Sequence, residues 1–372
     1  MREILFVAGE VSGDQHAARV ASAIRAADST FVLRGVGGDQ LANAGVELIA
    51  HTRTLSVMGF IEPIKRLPTF YRLREQLRAR FASGNVALVI LVDYGGFNLK
   101  VAADAKAAGV PVLYFITPQV WASRAGRLAD LERTVTKAAV ILPFEEALLR
   151  KHGIDATFVG HPLLDTAQSM PDRSEARRQL SVGAEDRVLA LFPGSRAQEI
   201  AQHLDVFVAT AELLVARNPS LKVVVSAAPH VEIDAARCPF PVVRSASFAL
   251  LRAADAAMCK SGTTTLEAAV ALCPLVIAYR IDRLSYFLAR RIIHIPFIGL
   301  VNIVAGREVA KEFVQDALDP IAVAATLEPL LRHESRERKA MVQDLAEVRA
   351  SLGTPGAAGR VAVMALELAR RA

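Results

Sequence analysis

The chain has 372 residues, 52% of them hydrophobic, which is too long for one ordinary core and about right for two domains. Its three cysteines, Cys238, Cys259 and Cys273, have neither paired spacing nor clustered histidines, which argues against a disulfide framework or a zinc site and for a reducing compartment. A net charge of +6 favours anionic partners; with 6% aromatic residues and no basic motif interleaved with aromatics, phosphorylated small molecules and acidic lipid lead, and no nucleic-acid partner is expected.

The chain opens Met1-Arg2-Glu3 and runs straight into an apolar segment, without the basic, apolar, small-residue order of a signal peptide, so a cytoplasmic location is expected. No apolar run approaches the roughly 18 residues of a spanning helix, so any membrane contact should be peripheral. Short β-branched runs alternate with helical patterns, and Ile4 to Ala8, Phe31 to Val36, Val86 to Val92, Val110 to Ile116 and Ala139 to Leu142 are predicted strands. Because they are continuously apolar, they belong in a parallel sheet covered by helices on both faces, a Rossmann-like domain. After Gly160-His161-Pro162 a polar stretch from Asp165 to Ser174 reads as a linker. A second series follows, with strands at Arg187 to Phe192, Leu221 to Ala227, Asp255 to Cys259 and Leu275 to Tyr279. From Pro320 the pattern is helical, broken once at Gly353-Thr354-Pro355-Gly356. The expected architecture is α/β, with Rossmann-like domains at 1–168 and 169–350 facing across a cleft, the arrangement called GT-B. The C-terminal helices should pack back across the domains, with 351–372 against the first domain or a partner.

Four segments carry candidate chemistry. The first strand ends in Gly9-Glu10-Val11-Ser12-Gly13-Asp14, a glycine-flanked turn into a helix. It is either an anion or substrate site using Glu10, Ser12 and Gly13, or a plain turn capped by Ser12 or Asp14. Its glycines stand four apart, so it is not the dinucleotide fingerprint. Asp93 follows seven apolar residues at a strand's carboxyl end, where it is either a general base or a helix cap. Gly194, Ser195 and Arg196 end the first strand of the second series, offering amides and a guanidinium suited to a diphosphate. Ser261, Gly262 and Thr263 sit at another helix start, with Glu267 one turn in, as a ribose ligand or as the acid of a capping box with Thr264.

The stretch from Val57 to Tyr71 mixes apolar and basic residues and is followed by further arginines. Met58, Phe60, Ile61, Phe70 and Tyr71 with Lys65, Arg66 and Arg72 suit an anionic membrane surface, although an ordinary basic helix face would look the same.

Taken in order, these segments resemble the lipid A disaccharide synthase family along nearly the whole chain. The resemblance is carried by Gly9 to Asp14, Val57-Met58-Gly59, Asp93 with Phe97-Asn98, and Pro118-Gln119-Val120-Trp121-Ala122. It continues in Leu142-Pro143-Phe144-Glu145, Gly160-His161-Pro162, Pro193 to Arg196, Ser261 to Thr263 with Glu267, and Asn302 with Ala305-Gly306-Arg307-Glu308. It implies inverting transfer from UDP-2,3-diacylglucosamine to the 6-hydroxyl of 2,3-diacylglucosamine 1-phosphate, at the inner face of the inner membrane. The first domain would take the acceptor and the second the UDP-sugar. Asp93 matches the family's base, Arg196 its diphosphate contact, Ser261, Gly262, Thr263 and Glu267 its UDP region, and Asn302 a polar residue near the donor. No cofactor and no metal are implied, and a homodimer is allowed. Gly96 stands where the family often has a second acid, and Ser123 where it has an aromatic. The competing readings are another GT-B enzyme using UDP-N-acetylglucosamine, either a lipid II-type transferase or a 2-epimerase, and a nucleotide-binding module without catalysis.

Overall fold

The computed structural model describes residues 2–54, 67–122, 126–229, 231–244, 247–283, 286–287 and 295–372. Met58, Phe60, Ile61, Lys65, Arg66 and Ser123 lie outside them. The chain divides into two compact units, Met1–Pro162 with Gly353–Ala372, and Leu163–Leu352.

In the first unit the order is β1 (Glu3–Ala8), α1 (Val11–Ala27), β2 (Val32–Gly37), α2 (Asp39–Asn43), β3 (Glu47–His51), α3 (Leu67–Ala82), β4 (Val86–Val92), α4 (Gly95–Ala107), β5 (Val112–Phe115), α5 (Gly126–Thr134), β6 (Lys137–Val140), α6 (Pro143–Lys151) and β7 (Ala156–Phe158). The strands are all parallel, in the order β3-β2-β1-β4-β5-β6-β7. Side chains alternate across the sheet, so one strand serves two cores. Ile4, Phe6 and Ala8 pack with Ala17, Val20 and Ile24 of α1 on one face, while Leu5 and Val7 pack with Leu73 and Leu77 of α3 and Val101 of α4 on the other. Burial on both faces is why these strands read as unbroken apolar runs.

The second unit runs α7 (Leu163–Ala167), α8 (Arg173–Gln179), β8 (Val188–Phe192), α9 (Ala197–Arg217), β9 (Lys222–Ala227), β10 (Val242–Arg244), α10 (Ser247–Ala253), β11 (Ala256–Lys260), α11 (Thr264–Ala271), β12 (Leu275–Tyr279), α12 (Leu300–Ala305), β13 (Glu312–Val314), α13 (Pro320–Leu330) and α14 (Arg336–Ser351). Its sheet is again parallel, ordered β10-β9-β8-β11-β12-β13. The last helix, α15 (Ala357–Arg371), belongs to the first unit, where Val361, Ala365 and Ala369 complete the core that α1 begins.

Four strands have no counterpart in the sequence reading: β3, β7, β10 and β13, which are the four sheet edges. The C-terminal stretch also breaks twice rather than once. Beyond the glycine-rich break, α14 starts afresh at Ser335, whose hydroxyl accepts the Arg338 amide at 3.1 Å.

Candidate active site

Strand order reverses between β1 and β4, which pair directly through Ala8 and Val92. Ligands of open α/β sheets bind outside the carboxyl ends at such a reversal. Both candidate loops of the first unit leave from there. Gly9 is required because a Cβ on it would stand 2.3 Å from the Tyr94 ring, so the Asp93 loop lies against the first one. Gly13 is buried in the first turn of α1, while Glu10 and Ser12 are exposed. Neither Ser12 nor Asp14 caps α1, whose N-cap is Glu10 without a side-chain bond. Asp14 turns to the neighbouring helix instead, accepting the amides of Gly38 (2.6 Å), Gln40 (3.0 Å) and Leu41 (3.2 Å) at the start of α2.

Asp93 and Tyr94 both take left-handed backbone, with φ of 50° and 51°, a conformation costing about 1–3 kcal/mol each. Three hydrogen bonds hold it. The Asp93 amide donates to the Phe115 carbonyl at 3.1 Å, and the Asp93 carbonyl accepts from Asn98 Nδ2 and from the Tyr114 hydroxyl, each at 2.8 Å. Asn98 is wholly buried and also reaches the carbonyls of Val7 and Val92, tying β1 to β4. The cap reading of Asp93 does not hold, since the N-cap of α4 is Tyr94 and no side chain caps it. Burial pushes the Asp93 carboxyl above its ordinary value, against the opposing Tyr94 amide. Nearby, Trp121 Nε1 donates to the buried Glu145 at 3.0 Å, which joins two segments that the sequence singles out separately.

In the second unit the reversal falls between β8 and β11, which pair through Phe192 and Cys259. Gly194 to Arg196 follow the first strand, and Ser261 to Thr263 the second. Gly194 has φ of 143°, and a Cβ there would meet Glu199 Cβ at 2.5 Å. Ser195 and Arg196 are exposed. The residue that organises this loop is one the sequence reading missed. Glu199 accepts the Ser195 amide at 2.9 Å, Arg196 Nη1 at 3.3 Å and Lys260 Nζ at 2.9 Å. Burial opposes its ionisation, but Lys260 and the Ser195 amide outweigh that and hold the carboxyl below its usual range. A carboxylate thus occupies an amide-and-cation cradle suited to an anion. Lys260 also lies 5.7 Å from the centroid of the Tyr279 ring. His203, almost wholly buried, bonds the Glu199 carbonyl through Nδ1 at 2.7 Å and receives the Arg280 amide at Nε2 at 2.9 Å. That pair of bonds requires the neutral Nδ1–H tautomer, in keeping with burial pushing its pKa down.

Ser261 donates to the Ile298 carbonyl at 2.7 Å, Gly262 has room around it, and Thr263 is exposed as the N-cap of α11. No side chain caps that helix, so the capping-box reading of Thr264 and Glu267 does not hold. Glu267 accepts the Ser247 hydroxyl, and burial pushes its carboxyl up. Asn302 points inward. It is wholly buried, giving Nδ2 to the Ala310 carbonyl (2.7 Å) and Glu312 (2.9 Å) and taking the Val309 and Ala310 amides at 2.8 and 2.9 Å. Its amide shapes the loop into β13 and has no capacity left for a ligand. On α3, Phe70 packs against the rings of Tyr94 and Phe97, whereas Tyr71 and Arg72 are exposed.

The family model described as Lipid-A-disaccharide synthetase matches residues 4–355. A curated lipid-A-disaccharide synthase of Syntrophus aciditrophicus (strain SB) is 40% identical over 376 residues, covering 99% of this chain and 98% of that protein. Among solved structures, the glycotransferase of kitacinnamycin matches with a TM-score of 0.65 at 16% identity, covering 98% of each chain. A ugt transferase from Siraitia grosvenorii in complex with UDP matches with a TM-score of 0.62 at 14% identity, covering all of both chains. At such identities the likeness is one of fold, and that fold is GT-B.

Proposed function

The chain belongs to the lipid-A-disaccharide synthase family, and from that premise we propose that it moves 2,3-diacylglucosamine from UDP to the 6-hydroxyl of 2,3-diacylglucosamine 1-phosphate. It is a glycosyltransferase of lipid A biosynthesis that uses a UDP-sugar. The observation that carries the finer reading is Asp93, a strand-end carboxyl pinned at the sheet's reversal and pushed up by burial. As base it takes the proton of the acceptor hydroxyl while the new O6–C1 bond forms and the C1–O bond to UDP breaks, inverting the anomeric carbon. A half-buried carboxyl of raised pKa accepts that proton more readily than an ordinary one.

The negative charge that develops on UDP needs preorganised donors, and the Ser195 amide, Arg196 and Lys260 are the groups proposed to receive it. Glu199 holds those groups in place and yields them to the diphosphate. Ser261, Gly262 and Thr263 line the approach, and Glu267, which already accepts one hydroxyl from Ser247, would accept those of the ribose. Asn302 supports this unit from within. Charge stabilisation by these cations and amides requires no metal.

Both substrates carry acyl chains, so the enzyme is proposed to work at the inner face of the inner membrane, docking through the segment from Val57 to Arg72. Among the described residues no helix is long and apolar enough to span a bilayer. Incubating the purified protein with both acylated sugars should yield a disaccharide 1-phosphate by mass spectrometry and an equal amount of UDP. UDP release without disaccharide would overturn the assignment.

A further inference from the structure

Two adjoining cavities of the first unit share Arg74 and Lys100 as lining residues. One, of about 300 Å³, opens at Gly95 and Gly96, directly after the strained Asp93–Tyr94 turn, and is walled by Arg74, Lys100, Arg127 and Arg133. Arg74 is paired with Asp104, and Arg133 with Asp130, which also lines the cavity. Lys100 and Arg127 have no carboxylate partner among the described residues. Arg127 stands close enough to act electrostatically on the Tyr114 hydroxyl, the group that bonds the Asp93 carbonyl. Position 96, where the resemblance leads one to expect a second acid, is a glycine on which a Cβ would meet nothing within 4 Å among the described residues. The cavity therefore holds two cations without a carboxylate partner among the described residues, at Gly95 and Gly96 just after the Asp93–Tyr94 turn. The other cavity, of about 430 Å³, sets Pro68, Phe70, Tyr71 and Phe97 beside Arg72, Arg74 and Lys100.

We infer that Gly95, Gly96, Lys100 and Arg127 form the site for a phosphate monoester, that of the acylated acceptor, whose apolar part lies toward Phe70, Tyr71 and Phe97. Two cations in a half-enclosed cavity give charge-assisted bonds to a dianion, and the adjoining apolar walls select one attached to a hydrophobic body. The inference rests on the reading of Asp93 as the acceptor's base.

The test compares the wild type, Lys100→Ala/Arg127→Ala and Arg127→Gln by calorimetry in detergent micelles, with 2,3-diacylglucosamine 1-phosphate and with the same sugar lacking its phosphate. The wild type should bind the phosphorylated sugar about tenfold or more tightly, and the double variant should bind both alike, with UDP affinity unchanged in both proteins. Arg127→Gln removes one charge while keeping most of the side chain, so it should also erode the preference even if the double variant folds poorly. A wild type without preference, or variants that keep it, overturns the inference. So does a double variant that loses only its binding to phosphatidylglycerol vesicles, which would assign the cations to lipid headgroups. If Asp93→Asn keeps full turnover while the phosphate preference still depends on Lys100 and Arg127, the reading of Asp93 fails and the phosphate site stands.

Discussion

Asp93 combines two properties that are individually unfavourable, a left-handed backbone and a carboxyl pushed up by burial. Its ionisation therefore costs folding stability as pH rises through its folded pKa, since the native state holds the proton more tightly than the unfolded chain. Asp93→Asn should lower turnover by about a hundredfold or more, with melting temperature at neutral pH equal to or above that of the wild type. Near-normal turnover would remove the base. As a base it works deprotonated, so kcat/KM should fall as pH drops through a midpoint above 3.8. A pH–rate profile with its acid limb at or below that value contradicts the assignment. At the donor loop, Arg196→Ala should weaken UDP binding by roughly 1.5–3 kcal/mol, and an unchanged dissociation constant by calorimetry would return Arg196 to solvent. The position of Asp93 was readable because a lone acid after an apolar strand must emerge at the sheet's end. Glu199, Lys260 and the inward turn of Asn302 were not readable, because each depends on which loop its side chain meets across a strand boundary.

At the scale of elements, the nine central or near-central strands were legible and the four edge strands were not, for one physical reason. A strand with neighbours on both sides and helices on both faces must be mostly apolar, and an exception such as Arg34 of β2 is paired with carboxylates of the adjoining strands. β7, β10 and β13 have three residues each, and β3 carries Glu47 and half-exposed positions, so nothing in them departs from loop composition. Short edges also limit pairing with other chains. A second element-level feature, invisible in sequence, is the staple beneath β8 and β11. Asp255, wholly buried, receives Arg173, Arg177, His333 and the Val188 amide, while buried Arg177 also reaches the carbonyls of Gly183, Ala184 and Asp186. Burial pushes the Asp255 carboxyl up, but the Val188 amide, His333 and Arg173 outweigh it and hold it below the ordinary range. Its contribution is present above the unfolded pKa and is lost as pH falls through the lower folded value. Asp255→Ala leaves Arg177 buried without its counter-ion and should cost about 3–5 kcal/mol by denaturant unfolding. A loss under about 1 kcal/mol would mean the arginines find water instead.

For the whole molecule, two Rossmann-like units were legible from the βα rhythm alone, because parallel sheets impose both the apolar runs and the crossover helices. Less legible was the allegiance of the last helix, since an alanine-rich amphipathic segment fits many surfaces. In the structure Val361, Ala365, Leu366 and Ala369 pack beside Ala17, Ala21 and Ile24. Leu366→Ala should destabilise the first unit by about 2–5 kcal/mol while leaving calorimetric UDP affinity unchanged, if the donor belongs to the second unit. Parallel loss of UDP binding would contradict that division.

Because Leu163–Leu352 intervenes between β7 and α15, synthesis of the first unit begins before that of the second and is finished after it. At about 5–20 residues per second, the apolar face of β1 and β4 waits on the order of ten seconds or more for its covering helix, while the second unit is already able to close. Until α15 is made, the part of that face left uncovered by α1 has no helix over it, so the core of the half that holds Asp93 is closed by the last helix described.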